Sequence, residues 1–318
     1  MTVGSGALSW TGAWGRNLLG SLRAVTGKYP CRAAAVAPAG EDSGGECDIL
    51  TPVEDVVRQR GIPDESALIP FAPGFPPGVR WLVLAPHADD ETLGPGGTLA
   101  LAVARGIAVE TVVLTDGAAQ GDPELRHSEM LAAASVLGIT PPRCLGFSDR
   151  SLAAAREGLD RTLAELLEQS APETILVPSP VEVHPDHRAV ALALQRVLRR
   201  CRGPLWVAAY EVGAALAPNL LVDLSGAWAL KERAAECFAS QLAVRPYGRV
   251  MAALAAFRAL TLDSVEAAEG FHVLPARRVA ALTPRGWAAT MGSAAGVAGA
   301  RDEVGRRWWA WARWRLRR

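Results

Sequence analysis

Three of the five histidines in this 318-residue chain fall in two short acidic clusters, Pro86-His87-Ala88-Asp89-Asp90-Glu91 and His184-Pro185-Asp186-His187. His87 and Asp90 stand three positions apart, as do His184 and His187, so a strand that curls into a helical turn projects each pair from one side. A divalent ion can then take two ligands from the first cluster and one from the second. Two imidazoles and one carboxylate leave a catalytic zinc with a position open for water. The same donors describe the facial triad of non-haem iron, so ligand type leaves zinc and another divalent metal such as iron both open. Water on such an ion becomes acidic enough to lose a proton near neutrality, and a carboxylate beside it accepts that proton as the water attacks a carbonyl. Spacing favours Asp90 as the ligand and leaves its neighbour as the base. The second-cluster histidine that is not on the metal can, if protonated, stabilise a tetrahedral oxyanion or protonate a leaving amine. Asp186 is expected to cap the helix beginning near His187. The plainer reading of either cluster alone is a solvated turn, and it is their joint occurrence at strand exits that argues for a site.

The elements around the clusters must bring them together. Trp81 to Ala85 is an apolar run suited to a buried strand, Leu99 to Ala104 reads as helix ended by Gly106, and Val109 to Leu114 is a second strand. Asp122-Pro123-Glu124 opens a helix with an N-cap acid and a first-turn proline, and Gly138 closes it. Strands at Cys144 to Phe147, Thr174 to Val177 and Leu205 to Tyr210 alternate with helices over Leu159 to Leu167 and about Arg188 to Leu198. Further helices are expected over Lys231 to Phe238 and Met251 to Leu260, and Phe271 to Leu274 reads as extended. Such alternation predicts a Rossmann-like, doubly wound α/β sheet, mostly parallel, with helices on both faces and its core over roughly 80–225. In open parallel sheets the strand carboxyl ends share one crevice, so clusters about a hundred positions apart in sequence can meet there.

Composition narrows the function classes. Lys+Arg of 33 balances Asp+Glu of 33, which removes the global electrostatic argument for a nucleic-acid partner. Half the residues are hydrophobic, a globular balance rather than a disordered one. No run of about 18 apolar, charge-free residues reads as a spanning helix, and no signal peptide is expected. Cys31, Cys47, Cys144, Cys201 and Cys237 are odd in number and scattered, with neither a CxxC pair nor a disulfide framework, so a reducing cytoplasm fits.

The two clusters resemble the signature motifs of the PIG-L or LmbE-like family of metal-dependent N-deacetylases, which remove acetyl groups from amino sugars and related conjugates. Further pieces follow in order: Gly96-Gly97, Leu114-Thr115-Asp116-Gly117, and Arg126-His127-Ser128-Glu129 opening a helix to Leu137-Gly138. Lys231, Ser240-Gln241 and Ala268-Glu269-Gly270-Phe271 look like C-terminal landmarks, so the resemblance covers about 80–275. It implies that His87, Asp90 and His187 hold zinc, that Asp89 is the general base, that His184 stabilises the charged intermediate, and that Arg126 contacts the substrate. Arg126 reads equally as an i,i+3 ion pair with Glu129. His127 reads as a surface histidine, and His272 as an extended-segment residue with no catalytic task. Two departures stand out. Ala88 replaces the proline common between the histidine and the aspartates, and Glu182-Val183 stands where some members have a tyrosine or other polar group near the scissile carbonyl.

The expected organisation is an N-terminal arm and linker over 1–78, an LmbE-like deacetylase domain over 79–280 and a C-terminal tail over 281–318. From Arg306 onward that tail holds six arginines, four tryptophans and no acid. Trp308, Trp309, Trp311 and Trp314 among arginines suit a peripheral membrane contact through 306–318, or a basic arm docked on the protein itself or on a protein partner. The leading reading is a cytoplasmic hydrolase that removes an N-acetyl (N-acyl) group from an amino sugar or glycoconjugate. The alternatives are a metallophosphoesterase, which normally needs two metals, and an inactive binding protein acting through its Trp/Arg tail.

Overall fold

The computed structural model describes residues 72–292 apart from residue 263, so the arm before Ala72 and the Trp/Arg tail lie outside the described residues. One sheet runs through the molecule. Its strands are β1 (Ala72–Pro73), β2 (Arg80–Ala85), β3 (Ala108–Thr115), β4 (Arg143–Phe147), β5 (Thr174–Pro178), β6 (Trp206–Tyr210), β7 (Leu220–Asp223) and β8 (Ala268–Pro275), in the spatial order β1-β7-β8-β6-β5-β2-β3-β4. The β2–β3, β3–β4, β2–β5, β5–β6 and β1–β7 pairs are parallel; β8 runs antiparallel between β6 and β7.

The helices are α1 (Asp90–Leu93), α2 (Gly96–Ala104), α3 (Pro123–Leu137), α4 (Arg156–Ser170), α5 (Pro185–Leu198), α6 (Trp228–Glu236), α7 (Ala239–Leu242), α8 (Tyr247–Ala259), α9 (Ala276–Ala281) and α10 (Pro284–Thr290). Successive side chains of β2 point to opposite faces, and each face has its own core. Trp81, Val83 and Ala85 pack with Leu99 of α2, Met130 of α3 and Ala234 of α6. Leu82 and Leu84 pack with Leu159 of α4, Val190 of α5, Val279 of α9 and Trp287 of α10. Burial on both faces is why β2 and β5 read as continuous apolar runs rather than alternating ones.

The strands and helices expected between 80 and 210 are in place, with the α/β, mostly parallel architecture. The sheet continues past the expected core, because β8 and β1, with β7 between them, complete its far side. Local signals set α3 as anticipated: the Asp122 carboxylate accepts from the Glu124 N–H at 3.0 Å, Pro123 occupies the first turn, and Gly138 closes the helix at φ 71°. At α5 the expectation for Asp186 fails. The helix starts at Pro185, and the cap is His184, whose Nδ1 accepts from the Asp186 N–H at 3.2 Å. Asp186 turns instead to the loop after β4, accepting from the Arg150 and Leu152 N–H groups at 2.7 and 3.2 Å. Asp186 lies inside the first turn rather than at the cap position, and its carboxylate is turned toward that loop.

The order of the strands decides where chemistry can happen. From β2 the chain moves one way to β3 and β4, then returns to lay β5 on the other side of β2. That reversal is the switch point at which parallel sheets open a crevice beyond their carboxyl ends. The first cluster leaves β2 and the second follows β5, two strands in direct register through Trp81 with Thr174 and Val83 with Leu176. Among the described residues no helix is long and apolar enough to cross a membrane.

Candidate metal and active site

The turn after β2 is tied down before it reaches the site. Pro86 O accepts from Thr115 N at 3.0 Å and Thr115 Oγ1 at 2.8 Å, which anchors it to the end of β3. Asp89 then takes φ 152° and ψ −27°, a region that L side chains rarely occupy. Strain of this kind persists where surrounding bonds over-determine it. Here the Asp89 N–H donates to Glu91 Oε2 at 3.1 Å, and the Leu93 N–H closes on Asp89 O at 2.8 Å to start α1. Asp90 therefore sits in the first turn of a helix, on the side of His87, as the three-residue spacing requires.

The two clusters meet. Asp90 Oδ2 lies 3.1 Å from His87 Nδ1 and 3.1 Å from His187 Nε2, and it also accepts the His87 backbone N–H at 2.9 Å. The rings of His87, His184 and His187 stand 4.5–5.4 Å apart centre to centre. Each of the three can place a nitrogen within 4.8 Å of the others, and His87 does the same with carboxylate oxygens of Asp149 and Asp186. Ligands about 2.0–2.1 Å from a tetrahedral zinc stand about 3.3 Å from one another. The two Asp90 contacts have that spacing, while the groups of described residues whose ligand atoms all lie within 4.8 Å of one another are His87–His184–His187 and His87–Asp149–Asp186, without Asp90.

Charge makes the same demand. Burial disfavours the imidazolium of His87, but Asp149, Asp186 and Asp90 outweigh it and push the group up to about 12. His187 is raised to about 9, Asp90 and Glu182 again overcoming burial. Burial works against ionised Asp90, yet the facing His187 and His87 hold it below the ordinary carboxylate range. These carboxylates call for positive charge at their centre, supplied by protons when no metal is there. Two buried nitrogens fit that picture: His87 Nε2, 3.2 Å from Asp149 Oδ1 and 3.4 Å from Asp186 Oδ2, and His187 Nδ1, 3.5 Å from Glu182 Oε2. None of these is aligned as a hydrogen bond. The donor set of two imidazoles and a carboxylate fits a divalent ion, and metal binding would release the protons held there.

Asp89 does not share Asp90's fate. Burial, then the charge of Asp90, raises its carboxyl to about 7. Arg126 stands behind it, Nη2 3.5 Å from Asp89 Oδ2 and 3.2 Å from Ala88 O, with Nη1 donating to Gly117 O at 3.0 Å. The alternative partner of Arg126 is engaged elsewhere, since Glu129 accepts from Ser240 N and Oγ at 2.8 and 2.6 Å. His184 is only partly buried, and its imidazolium is disfavoured by burial and by His87 and His187. Because its Nδ1 accepts from Asp186, the neutral ring carries its proton on Nε2.

Asp149 is the participant that motif reading missed. It follows β4, a third strand exit on the same edge, and its buried side chain faces His87 Nε2 while accepting from the Ala119 N–H at 3.2 Å. The signal was positional: an Asp just past a predicted parallel strand belongs to the same crevice. His127 is exposed and lies 3.6 Å from Cys144 Sγ, and His272 is buried with Nδ1 2.9 Å from Ala217 O.

The C-terminal landmarks brace the site. Lys231 Nζ reaches Gly94 O and Glu269 Oε1, both at 2.6 Å, and Glu269 accepts the Gly97 and Thr98 N–H groups at 2.8 Å each. A carboxylate thus closes the N-terminus of α2. A Cβ on Gly97 would come within 2.8 Å of the Leu224 Cδ atoms and 3.1 Å of Glu269 Oε1, so a larger residue there would displace both. Beside His184 opens a cavity of about 590 Å³, walled by Tyr210, Lys231, Tyr247, Val250 and Leu254, within the ~300–1,000 Å³ of small-molecule sites.

Residues 82–198, which contain both clusters, match the family described as PIG-L: GlcNAc-PI de-N-acetylase. That segment, a little over a third of the chain, carries the PIG-L match. The chain is 30% identical over 131 residues to a probable N-acetyl-alpha-D-glucosaminyl L-malate deacetylase 2 of Bacillus anthracis, covering 37% of this chain and 58% of that protein. It is 33% identical over 119 residues to a diacetylchitobiose deacetylase of Thermococcus kodakarensis, covering 34% of this chain and 44% of that protein. The chain thus spans about half the length of these curated relatives. Among solved structures, a conserved protein of Thermus thermophilus superposes with a TM-score of 0.55 at 32% identity, over 61% of this chain and 94% of that one. The N,N'-diacetylchitobiose deacetylase of Pyrococcus horikoshii, at 22% identity, shares the fold with a TM-score of 0.56, over 75% and 96% of the two chains. The PIG-L match covers the part of the sheet that positions the site, β2 to α5.

Proposed function

We propose that this protein is a metal-dependent N-deacetylase of the PIG-L type that hydrolyses the N-acetyl group of an amino sugar or glycoconjugate. One observation carries the reading: imidazoles from two adjacent strand exits converge on a single carboxylate oxygen, Asp90 Oδ2, at 3.1 Å each. A divalent cation, zinc or iron, held by His87, Asp90 and His187 would supply the Lewis acid that polarises the amide carbonyl and acidifies water beside it. Asp89, next in sequence to the proposed ligand Asp90 and not itself in contact with the imidazoles, takes the proton of the attacking water. Arg126 holds Asp89 from behind and is the residue assigned to the substrate. His184 donates its Nε2–H to the oxygen that becomes negative as the carbonyl is attacked. When the C–N bond breaks, the proton on Asp89 passes to the leaving amine, and acetate and the free amino sugar depart. The names of the relatives support the substrate class. Among the described residues Cys144, Cys201 and Cys237 are free thiols, which supports a reducing cytoplasm.

The test is acetate release from a panel of N-acetylated amino sugars and their conjugates, read by mass spectrometry on the zinc-loaded protein. The expected result is release from at least one member, lost on chelation and restored by metal. Full release by chelated, metal-free protein would end the reading.

A further inference from the structure

Glu182 stands two residues before His184, and the structure gives its side chain a specific task. It is 1% exposed on the loop leaving β5. Its Oε1 accepts from the N–H groups of Val212, Gly213 and Ala214 at 2.7, 3.1 and 3.3 Å, and Oε2 accepts from Gly213 at 3.0 Å. The loop after β6 therefore clamps the carboxylate from one side with backbone donors. On its other side Oε2 faces His187 Nδ1 at 3.5 Å, a nitrogen buried with no aligned partner. The opposite nitrogen of that ring, Nε2, points at Asp90.

We infer that Glu182 is a positioning residue for His187: its clamped carboxylate receives the Nδ1 proton and so leaves the Nε2 lone pair directed at the cation. The inference rests on the reading of His187 as a metal ligand. An imidazole coordinates through the nitrogen that lacks a proton, and the partner of the other nitrogen decides which one that is. Glu182 is built for that role because its own position does not depend on the metal: β5 supplies the carboxylate and the β6 loop holds it. Metal ligand and pocket wall are thereby joined, since Val212 and Gly213 line the cavity beside His184.

The test compares zinc affinity of the wild-type chain and Glu182→Gln by competition with a chromophoric chelator. Glutamine keeps the shape and one oxygen for the Val212–Ala214 amides, but turns an N–H donor toward Nδ1. The expected result is zinc binding weakened about 10- to 100-fold. Equal zinc affinity in the two proteins overturns the inference and leaves the metal site standing; a wild-type chain that binds no zinc overturns both. Should the variant not fold, nitrogen-15 NMR of zinc-loaded wild type decides the matter. The His187 proton on Nδ1, shifted downfield by a carboxylate, supports the inference, whereas zinc on Nδ1 with the proton on Nε2 overturns it.

Discussion

The two ends of the sheet carry the same chemical groups in opposite conditions. At the amino ends of β2, β5 and β6, between α4 and α5, lies a cavity of about 1440 Å³ rimmed by arginines and acids. The cavity beside His184 at the carboxyl ends is less than half that size. The charges at the larger one face water and neutralise one another: Arg196 grips Asp160 with two bonds of 2.8 and 2.6 Å, and Arg80 meets Glu173 at 3.3 Å. Behind His184, at the edge of the smaller one, the carboxylates and imidazoles around Asp90 are buried and leave His87 Nε2 and His187 Nδ1 without aligned partners. Volume therefore does not mark the site. Desolvated charge that its neighbours cannot satisfy does, because burial is what displaces a group from its ordinary protonation.

The sharpest way to break the contrast is Asp89→Asn. Loss of a positioned general base should lower kcat by about 10²- to 10⁴-fold, while metal analysis shows the same content as wild type; loss of metal instead would move Asp89 into the ligand set. A smaller effect separates the ion pairs. Lys231 and Glu269 are both buried, and Lys231→Met leaves the Glu269 carboxylate without its cation, held by the Gly97 and Thr98 N–H groups alone, so denaturant unfolding should register a loss of up to about 3–5 kcal/mol. Smallest is Arg196→Ala at the far end. Its pair with Asp160 is about one quarter exposed on each side, so stability should fall by no more than about 1 kcal/mol and turnover should not move. A large kinetic effect there would give the far cavity a function.

The central sheet was legible because β2 and β5 carry uninterrupted apolar runs, and α3 because its cap, proline and terminal glycine are local signals. The clusters at 87–91 and 184–187 were legible for the same reason, each pair being fixed by a spacing of three. What escaped is long-range. Phe271–Leu274 read as extended, but nothing local says that β8 inserts antiparallel between β6 and β7. Asp186 looked like a cap because caps are local, yet its partners are Arg150 and Leu152. Arg126 and Glu129 looked like a helical pair, yet their partners lie at Gly117 and Ser240. Asp149 has no motif of its own, and only the sheet order places it against His87.

The most direct measurement is anomalous diffraction at the zinc edge from crystals of the zinc-loaded protein. One peak per chain is predicted, within about 2.2 Å of a nitrogen of His87, a nitrogen of His187 and an oxygen of Asp90, with Asp89 unligated beside it. A peak held by Asp149 and Asp186 without Asp90, or a second peak of equal height, would contradict the account.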